Sequence, residues 1–532
     1  MNSRKISNYL FLGAGALLMQ ACGAKETKSV EKPVKPNVLF ISVDDLNDWI
    51  GIAKANPDVK TPNLDRLSKR GVYFDNAHCA SPVCTPSRLS VLSSLSPVTT
   101  GCYTNKTGTP NQEVWNEVEL LPAHFRQNGY HTMGCGKIEG HAGMAIEKDF
   151  TNQKMWDERR PRMFNLTEEL VKDGGRYGAV DFYPFPMGGS QLTRYNKEHK
   201  TNLPGFSLGA GAIDRAYLPE GKMPDEINVE WAIERLNRNY DKPFFLGLGL
   251  LRPHVPYTAP KKYFDMYPID KITIPQALED EFKDIPLYGK AIAEGTIEPG
   301  AEGIVNMVSD SFRKELVQGY LASISFMDAQ LGKVLDALDK SKYGENTIIV
   351  LWSDHGQCLG EKKNWRKNNL WNEATLSPMV WVVPGMINKG LVNHKAVSLL
   401  DIYPTLTELC GLDLKQQKDG ESIADLIHDM NAKRQNPVIS SWTYGSHSVR
   451  VGKWKYIHYY DGSEELYDEE KDFGEHVNLA KKPEHKEIME ELKKHLPKDI
   501  YKPTEKNKEF HLYNSRIKKW TANPASMPQW LN

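Results

Sequence analysis

What this chain has least of is cysteine. Seven occur in 532 residues, at Cys22, Cys79, Cys84, Cys102, Cys135, Cys358 and Cys410, and no two stand in a C-x-x-C or other paired spacing. That excludes a zinc-thiolate cluster and a thioredoxin-like redox pair. Spacing leaves any disulfide connectivity open, and burial as structural thiols is the commoner fate of such residues. Net charge is nearly absent too, because 67 Lys and Arg face 68 Asp and Glu. No global field draws nucleic acid to such a chain, so no nucleic-acid partner is expected and an anionic substrate needs local cations. Internal repeats are missing. The apolar stretch from Tyr9 to Met19 falls short of the ~20 residues of a membrane-spanning helix.

That stretch follows Arg4 and Lys5 and ends at Ala21-Cys22. Residues 1–21 therefore read as a signal peptide of the lipoprotein type, in which Cys22 carries a lipid anchor to the membrane; simple cleavage near Ala21 is the alternative. Residues 22–36 are polar, carry Pro33 and Pro36, and read as a tether. The expected location is the periplasm or the outer membrane of a Gram-negative bacterium.

Apolar runs without polar alternation occur at Asn37 to Val43, Lys242 to Leu250, Thr347 to Trp352 and Pro378 to Val383. Such runs predict strands covered on both faces, as in a mainly parallel α/β sheet. Helical patterns over Thr61 to Gly71, Phe312 to Ser341 and Leu399 to Leu409 complete the alternation. From about Arg434 the texture changes: Ser448 to Val451 and Trp454 to Tyr459 flank Gly452-Lys453, a hairpin signal. We therefore expect a large domain over 37–433 and a smaller C-terminal subdomain with an antiparallel sheet over 434–532. Phe150 to Asp225, rich in Gly, Pro and aromatics, reads as long loops that could wall a substrate. Trp442 and His447 are further guesses for substrate-facing residues.

In open α/β sheets the reactive crevice lies beyond the carboxyl ends of the strands. Here those ends read Asp44-Asp45 and Ser353-Asp354-His355-Gly356. A lone Asp pair is ordinarily a cap, but two polar strand ends together suggest a cation between them. The mostly hard oxygen donors favour calcium or magnesium over zinc, while the one imidazole leaves the identity open. Cys84-Thr85-Pro86-Ser87-Arg88 precedes an apolar-periodic stretch through Leu89, Leu92 and Leu95. A helix there places Cys84 at an N-terminus, where an anion is stabilised and an unmodified thiol is acidified.

Cys84-x-Pro-Ser-Arg88 resembles the signature of type I formylglycine-dependent sulfatases, although Leu92-Ser93-Ser94 departs from its usual tail. Asn37 to Leu46, Gly129 to Met133 with Gly136-Lys137, Arg252-Pro253-His254-Val255-Pro256-Tyr257, Ser353 to Glu361 with Trp365-Arg366-Lys367, and Leu466-Tyr467-Asp468 with Asn478-Leu479-Ala480 extend the likeness over nearly the whole chain. They are most similar to the iduronate-2-sulfatase-like branch. The resemblance implies an alkaline-phosphatase-like α/β fold and a bacterial sulfuric ester hydrolase whose Cys84 is oxidised to formylglycine (3-oxoalanine). The oxidation would be done by a formylglycine-generating or anaerobic sulfatase-maturating enzyme. It further implies Asp44, Asp45, Asp354 and His355 as metal ligands completed by residue 84, and Arg88 as the group that polarises that residue. Lys137 and Lys367 would contact sulfate, His254 would be the proton donor, and His141 a second histidine set at a longer spacing than usual.

The implied substrate is a sulfated carbohydrate, of glycosaminoglycan type with a 2-O-sulfated uronic acid as one option. Two rivals stand beside it: a phosphoester or phosphonate hydrolase of the same superfamily, and an unmatured, noncatalytic glycan-binding lipoprotein.

Overall fold

The protein is described by a computed structural model over residues 35–105, 111–140, 153–160, 197, 209–215, 218–296, 305, 309–416, 418–434, 436–498, 500–502 and 508–531. The N-terminal segment expected to direct export, His141, and most of the loop expected to wall the substrate lie outside these residues.

Eight strands form the main sheet: β1 (Asn37–Val43), β2 (Val72–Phe74), β3 (His131–Gly136), β4 (Glu158–Arg159), β5 (Phe244–Leu250), β6 (Thr347–Ser353), β7 (Met379–Val382) and β8 (Leu391–Asn393). Their spatial order is β8-β2-β7-β6-β1-β5-β3-β4. β1 lies at the centre, parallel to β5 and β6, and every one of its residues is buried. Successive side chains on a strand point to opposite faces. Accordingly Leu39, Ile41 and Val43 join one apolar cluster and Val38 and Phe40 the other. Burial on both faces is why the run lacks polar alternation.

The helices α1 (Pro62–Ser68), α3 (Pro224–Leu236) and α4 (Asp310–Lys340) cover the first face, while α2 (Cys84–Ser93) and α5 (Ile402–Leu409) cover the second. α2 is buried on all sides, because one side meets the core and another the polar crevice. It stops two residues before Leu95, where Ser94 adopts a left-handed conformation (φ 55°). α1 likewise ends at Ser68, short of Gly71.

One apolar run departs from the parallel pattern. β7 is antiparallel to both β6 and β2. A parallel neighbour needs a crossover to the opposite end of the sheet. Residues 354–378 instead stay at the carboxyl end of β6, where they build a polar loop, and the chain re-enters the sheet from that end.

A separate sheet of four antiparallel strands follows, β9 (Val438–Ser441), β10 (His447–Val451), β11 (Trp454–His458) and β12 (Glu464–Asp468), in sequential order. Val451 pairs with Trp454 across Gly452-Lys453, with Gly452 at φ 59°, as the hairpin signal predicts. Helix α6 (Lys508–Ala522) packs Tyr513 and Trp520 against Trp442, Tyr459 and Tyr467. Among the described residues no helix is long and apolar enough to cross a membrane.

Candidate active site

The strand order brings four carboxyl ends side by side: β6, β1, β5 and β3. They deliver Asp354-His355, Asp44-Asp45, His254 and Lys137 to one crevice. The row is held in register by backbone bonds from Asp354 N to Val43 O (3.1 Å) and from Asp44 N to Leu250 O (3.2 Å). Close approach between β3 and β5 requires glycine. A Cβ on Gly136 would lie 1.9 Å from Gly249 O, and one on Gly249 would lie 2.2 Å from the Lys137 carbonyl group.

α2 enters the crevice from the second face. Arg88, fully buried, sends Nε to Asp354 Oδ2 (2.9 Å) and Nη2 to Asp44 Oδ1 (3.3 Å). Its Nη1 donates to Ser42 Oγ (3.1 Å) and to the Lys137 carbonyl. Lys137 Nζ reaches Asp44 Oδ2 at 2.6 Å. Lys367, from the loop after β6, donates to Asp45 Oδ1 and lies 3.2 Å from Cys84 Sγ. His355 Nε2 lies 3.4 Å from Cys84 Sγ, 3.4 Å from Asp45 Oδ1 and 3.5 Å from Asp354 Oδ1.

One potential ligand atom from each of Asp44, Cys84, Asp354 and His355 falls within 4.8 Å of the others, and so does the set Asp44, Asp45, Cys84 and His254. Asp45 sits at φ 61° in the left-handed region, which Asp tolerates better than most residues. Its Oδ2 is buried without a hydrogen-bond partner. Three carboxylates, an imidazole and a stranded carboxylate oxygen are donors suited to a divalent cation.

Packing so many charges out of water moves their titrations. Burial works to raise the Asp44 carboxyl, yet Lys137, His254, Arg88 and Lys367 together hold it well below the usual range. Burial likewise opposes ionisation of Asp45, but His254 and Lys367 bring it to about 2. Asp354 is pushed up to about 7 by burial, with Arg88 opposing and Asp44 assisting. Burial drives both His254 and His355 down to about 3.

Cys84 goes the other way from the expectation drawn from its helix position. Burial, with Asp44 adding to it, pushes the thiol up to about 12. The helix end is also less open than its sequence suggests: Thr85 N–H donates to Asn105 Oδ1 (2.9 Å), and Pro86 has no N–H. Side-chain cations, rather than helix amides, dominate this crevice.

A family model described as "Sulfatase" matches residues 36–412. The chain belongs to the sulfatase family. A second model, for the C-terminal part of N-sulphoglucosamine sulphohydrolase, matches residues 360–502. The chain is 38% identical to a sulfatase of Formosa agariphila over 93% of this chain and 92% of that one. It is 28% identical to human iduronate 2-sulfatase over 76% and 74% of the two chains. Among solved structures, a 2-O GAG sulfatase superposes with TM-score 0.63 at 21% identity, covering 94% of this chain and 96% of that one. Phosphonate monoester hydrolase of Agrobacterium radiobacter superposes with TM-score 0.69 at 19% identity, covering 91% and 96%. Both structures share the alkaline-phosphatase-like fold expected from the sequence, and the family makes this chain a sulfuric ester hydrolase.

In this sulfatase Asp44, Asp45, Cys84, Arg88, Lys137, His254, Asp354, His355 and Lys367 all converge in the crevice, although they come from positions up to 323 residues apart in sequence. Trp442 and His447 do not join them. Trp442 is 1% exposed and donates to Tyr513 Oη (3.3 Å), while His447 is 2% exposed and pairs with Ser441 Oγ (2.9 Å). Both serve the packing of the small sheet.

Sequence reasoning missed the residues that hold the ligating segments. Ser353 Oγ accepts from Leu46 N (3.0 Å) and donates to His355 O (2.9 Å). Tyr320 Oη donates to Asp45 O (2.7 Å) and accepts from Asn47 N (2.9 Å). Tyr320 lies in the middle of α4, where nothing local marks it. Ser87 donates to the Asp354 carbonyl and stood inside the signature, where it could have been found.

Proposed function

We propose that this sulfatase removes sulfate from a carbohydrate, using formylglycine formed from Cys84 beside a calcium ion; magnesium is the weaker alternative. The observation that carries the reading is the meeting of Cys84 with three carboxylates, His355 and Lys367 in one buried cluster. Burial pushes the thiol up to about 12, so before any cation binds the unmodified residue is a weak nucleophile.

Asp44, Asp45, Asp354 and His355 would hold the cation together with residue 84. When bound, the cation supplies Lewis-acid stabilisation of the sulfate oxygens, and the hydrated aldehyde supplies a hydroxyl able to attack sulfur. The chain's own residues do the rest. Arg88 holds Asp44 and Asp354 in place and keeps their charges from repelling. Lys137 and Lys367 offer ammonium groups to the nonbridging oxygens, where charge grows as the ester breaks.

His254 donates a proton to the departing sugar oxygen. Its imidazole is neutral in the resting site, with burial the main cause and the two lysines contributing. A sulfate ester seated on those lysines cancels part of their repulsion, which moves the imidazole back towards its charged form. His141 would be a second histidine of the sulfate pocket.

The names of the iduronate 2-sulfatase and 2-O GAG sulfatase relatives favour a glycosaminoglycan-type substrate, with 2-O-sulfated uronic acid the first to try. Maturation at Cys84 would need a formylglycine-generating or anaerobic sulfatase-maturating partner. Export and lipidation at Cys22 complete the proposal. Cys22→Ala should then shift the protein from the membrane fraction to the soluble periplasmic fraction.

The deciding experiment is Cys84→Ala with peptide mass spectrometry of the native protein. The native Cys84 peptide is expected to carry the aldehyde, and the variant to fold yet lose sulfate release by at least about 10³-fold, in line with loss of a nucleophile. Near-normal turnover in the variant would sink the mechanism. Position-resolved analysis of defined sulfated and phosphorylated oligosaccharides then fixes the substrate and tests the phosphoester rival.

A further inference from the structure

His254 stands in a loop braced by two buried charged residues. Pro253 and Pro256 lack N–H groups, and the loop begins where β5 leaves the sheet, so the turn bond from His254 N to Leu251 O (2.9 Å) is supplemented from outside the loop. Asp225, 1% exposed in the first turn of α3, accepts from Leu251 N through Oδ1 (2.8 Å) and from Arg252 N through Oδ2 (2.9 Å). Arg252, 0% exposed, turns its guanidinium onto the loop and donates from Nη1 to the His254 carbonyl and to Pro256 O (2.7 Å). His254 Nδ1 sits 2.6 Å from Val255 O. A carbonyl only accepts, so Nδ1 carries the proton and Nε2 is the atom left for proton exchange.

The geometry points to Asp225 and Arg252 as positioning residues: they clamp the backbone on both sides of His254 and so aim its ring at the ester oxygen. The assignment rests on the reading of His254 as proton donor. It goes beyond that reading in giving a role to two residues outside the ligand and sulfate-contact set named above. Asp225→Asn keeps the size of the side chain but sets an amide NH2 against one of the two backbone N–H groups, which frees one side of the clamp. Arg252→Lys keeps the charge but ends one bond short of Nη1, the atom that reaches both carbonyls.

A tilt of the donor slows only substrates that need their leaving group protonated. The test is therefore steady-state kinetics of the matured, metal-loaded enzyme on phenyl sulfate, whose phenol is a poor leaving group, and on 4-nitrophenyl sulfate, whose phenol is a good one. His254→Ala is the reference. Both clamp variants are expected to lose about 10-fold to 10²-fold in kcat on phenyl sulfate, the scale of a misaligned catalytic group. On 4-nitrophenyl sulfate the loss should stay within about threefold, because little proton transfer is required there. An equal loss on both esters means that Asp225 and Arg252 merely support the fold, and it overturns the assignment. If His254→Ala itself slows both esters equally, the proton-donor reading falls separately. Should Asp225→Asn not fold, Arg252→Lys carries the same test.

Discussion

Arg88 illustrates how much one side chain can be asked to do in a buried site. It lies fully out of water between Asp44 and Asp354 and donates as well to Ser42 and the Lys137 carbonyl. Removing one partner of a buried ion pair costs about 3–5 kcal/mol, because the other charge is left uncompensated. Arg88→Ala should therefore lower the thermal midpoint of the protein as well as its activity, read by calorimetry and by sulfate release. Arg88→Lys should recover part of the stability but little activity, since an ammonium cannot bridge two carboxylates as a planar fork does. A variant as stable as wild type would contradict the burial of this pair. Asp44, Asp45, Asp354, His355, Cys84 and Arg88 were legible from strand ends and the Cys84 signature, while Lys137, His254 and Lys367 were legible only through the family resemblance. The perturbed titration of Cys84 was not, since it depends on Asp44 and on exclusion of water, both set by distant chain segments.

At the scale of elements, the contact between β3 and β5 decides where Lys137 goes. Gly249 pairs with Gly136 in the register, and a methyl group on Gly249 would collide with the Lys137 backbone at 2.2 Å. Backbone atoms cannot yield as a flexible side chain can, and overpacking of this kind costs about 1–3 kcal/mol or more. Gly249→Ala is expected to lower the thermal midpoint and to raise KM for the sulfate ester by displacing Lys137 from Asp44. An unchanged KM would show that β3 and β5 do not position the lysine. Four of the eight strands, β1, β5, β6 and β7, were readable as apolar runs, and the hairpin at Gly452-Lys453 matched its signal. The direction of β7 was not readable, because strand polarity follows from which end of the sheet the preceding loop occupies.

At the scale of the molecule, the four-stranded sheet grips the loop that bears Lys367. Arg450 Nη2 donates to Asn372 Oδ1 (2.7 Å), and Lys455 Nζ to the same oxygen (3.0 Å) and to Glu475. Glu475 Oε2 accepts from Asn372 N (2.7 Å), and Lys362 Nζ bridges Glu281 (3.0 Å) and the Glu475 carbonyl. Glu475→Ala removes the carboxylate paired with Lys455 in a dry site and should cost about 3–5 kcal/mol. It should also raise KM by loosening the Lys367 loop, which substrate kinetics of the purified variant would show. Metal removal acts on the same scale. A ligand bound only by the folded state stabilises it by about 4 kcal/mol at 1,000 times its Kd. Chelation should therefore lower the thermal midpoint and abolish sulfate release, and calcium should restore both; full activity in metal-free protein would refute the ligand set.

The sequence by itself determined β1, β5, β6 and β7, through apolar runs without alternation, and it marked the site, through polar residues at the strand ends and a specific five-residue signature. Both are local patterns, written within a few residues of where they act. Tertiary structure alone decided the order β6-β1-β5-β3 that lines those ends up, the reversal of β7, and the clamp on the Lys367 loop. It also decided which charges lose their water. These properties arise from contacts between segments far apart in the chain, where the energy of a pair depends on burial and distance, and neither quantity has a local signature.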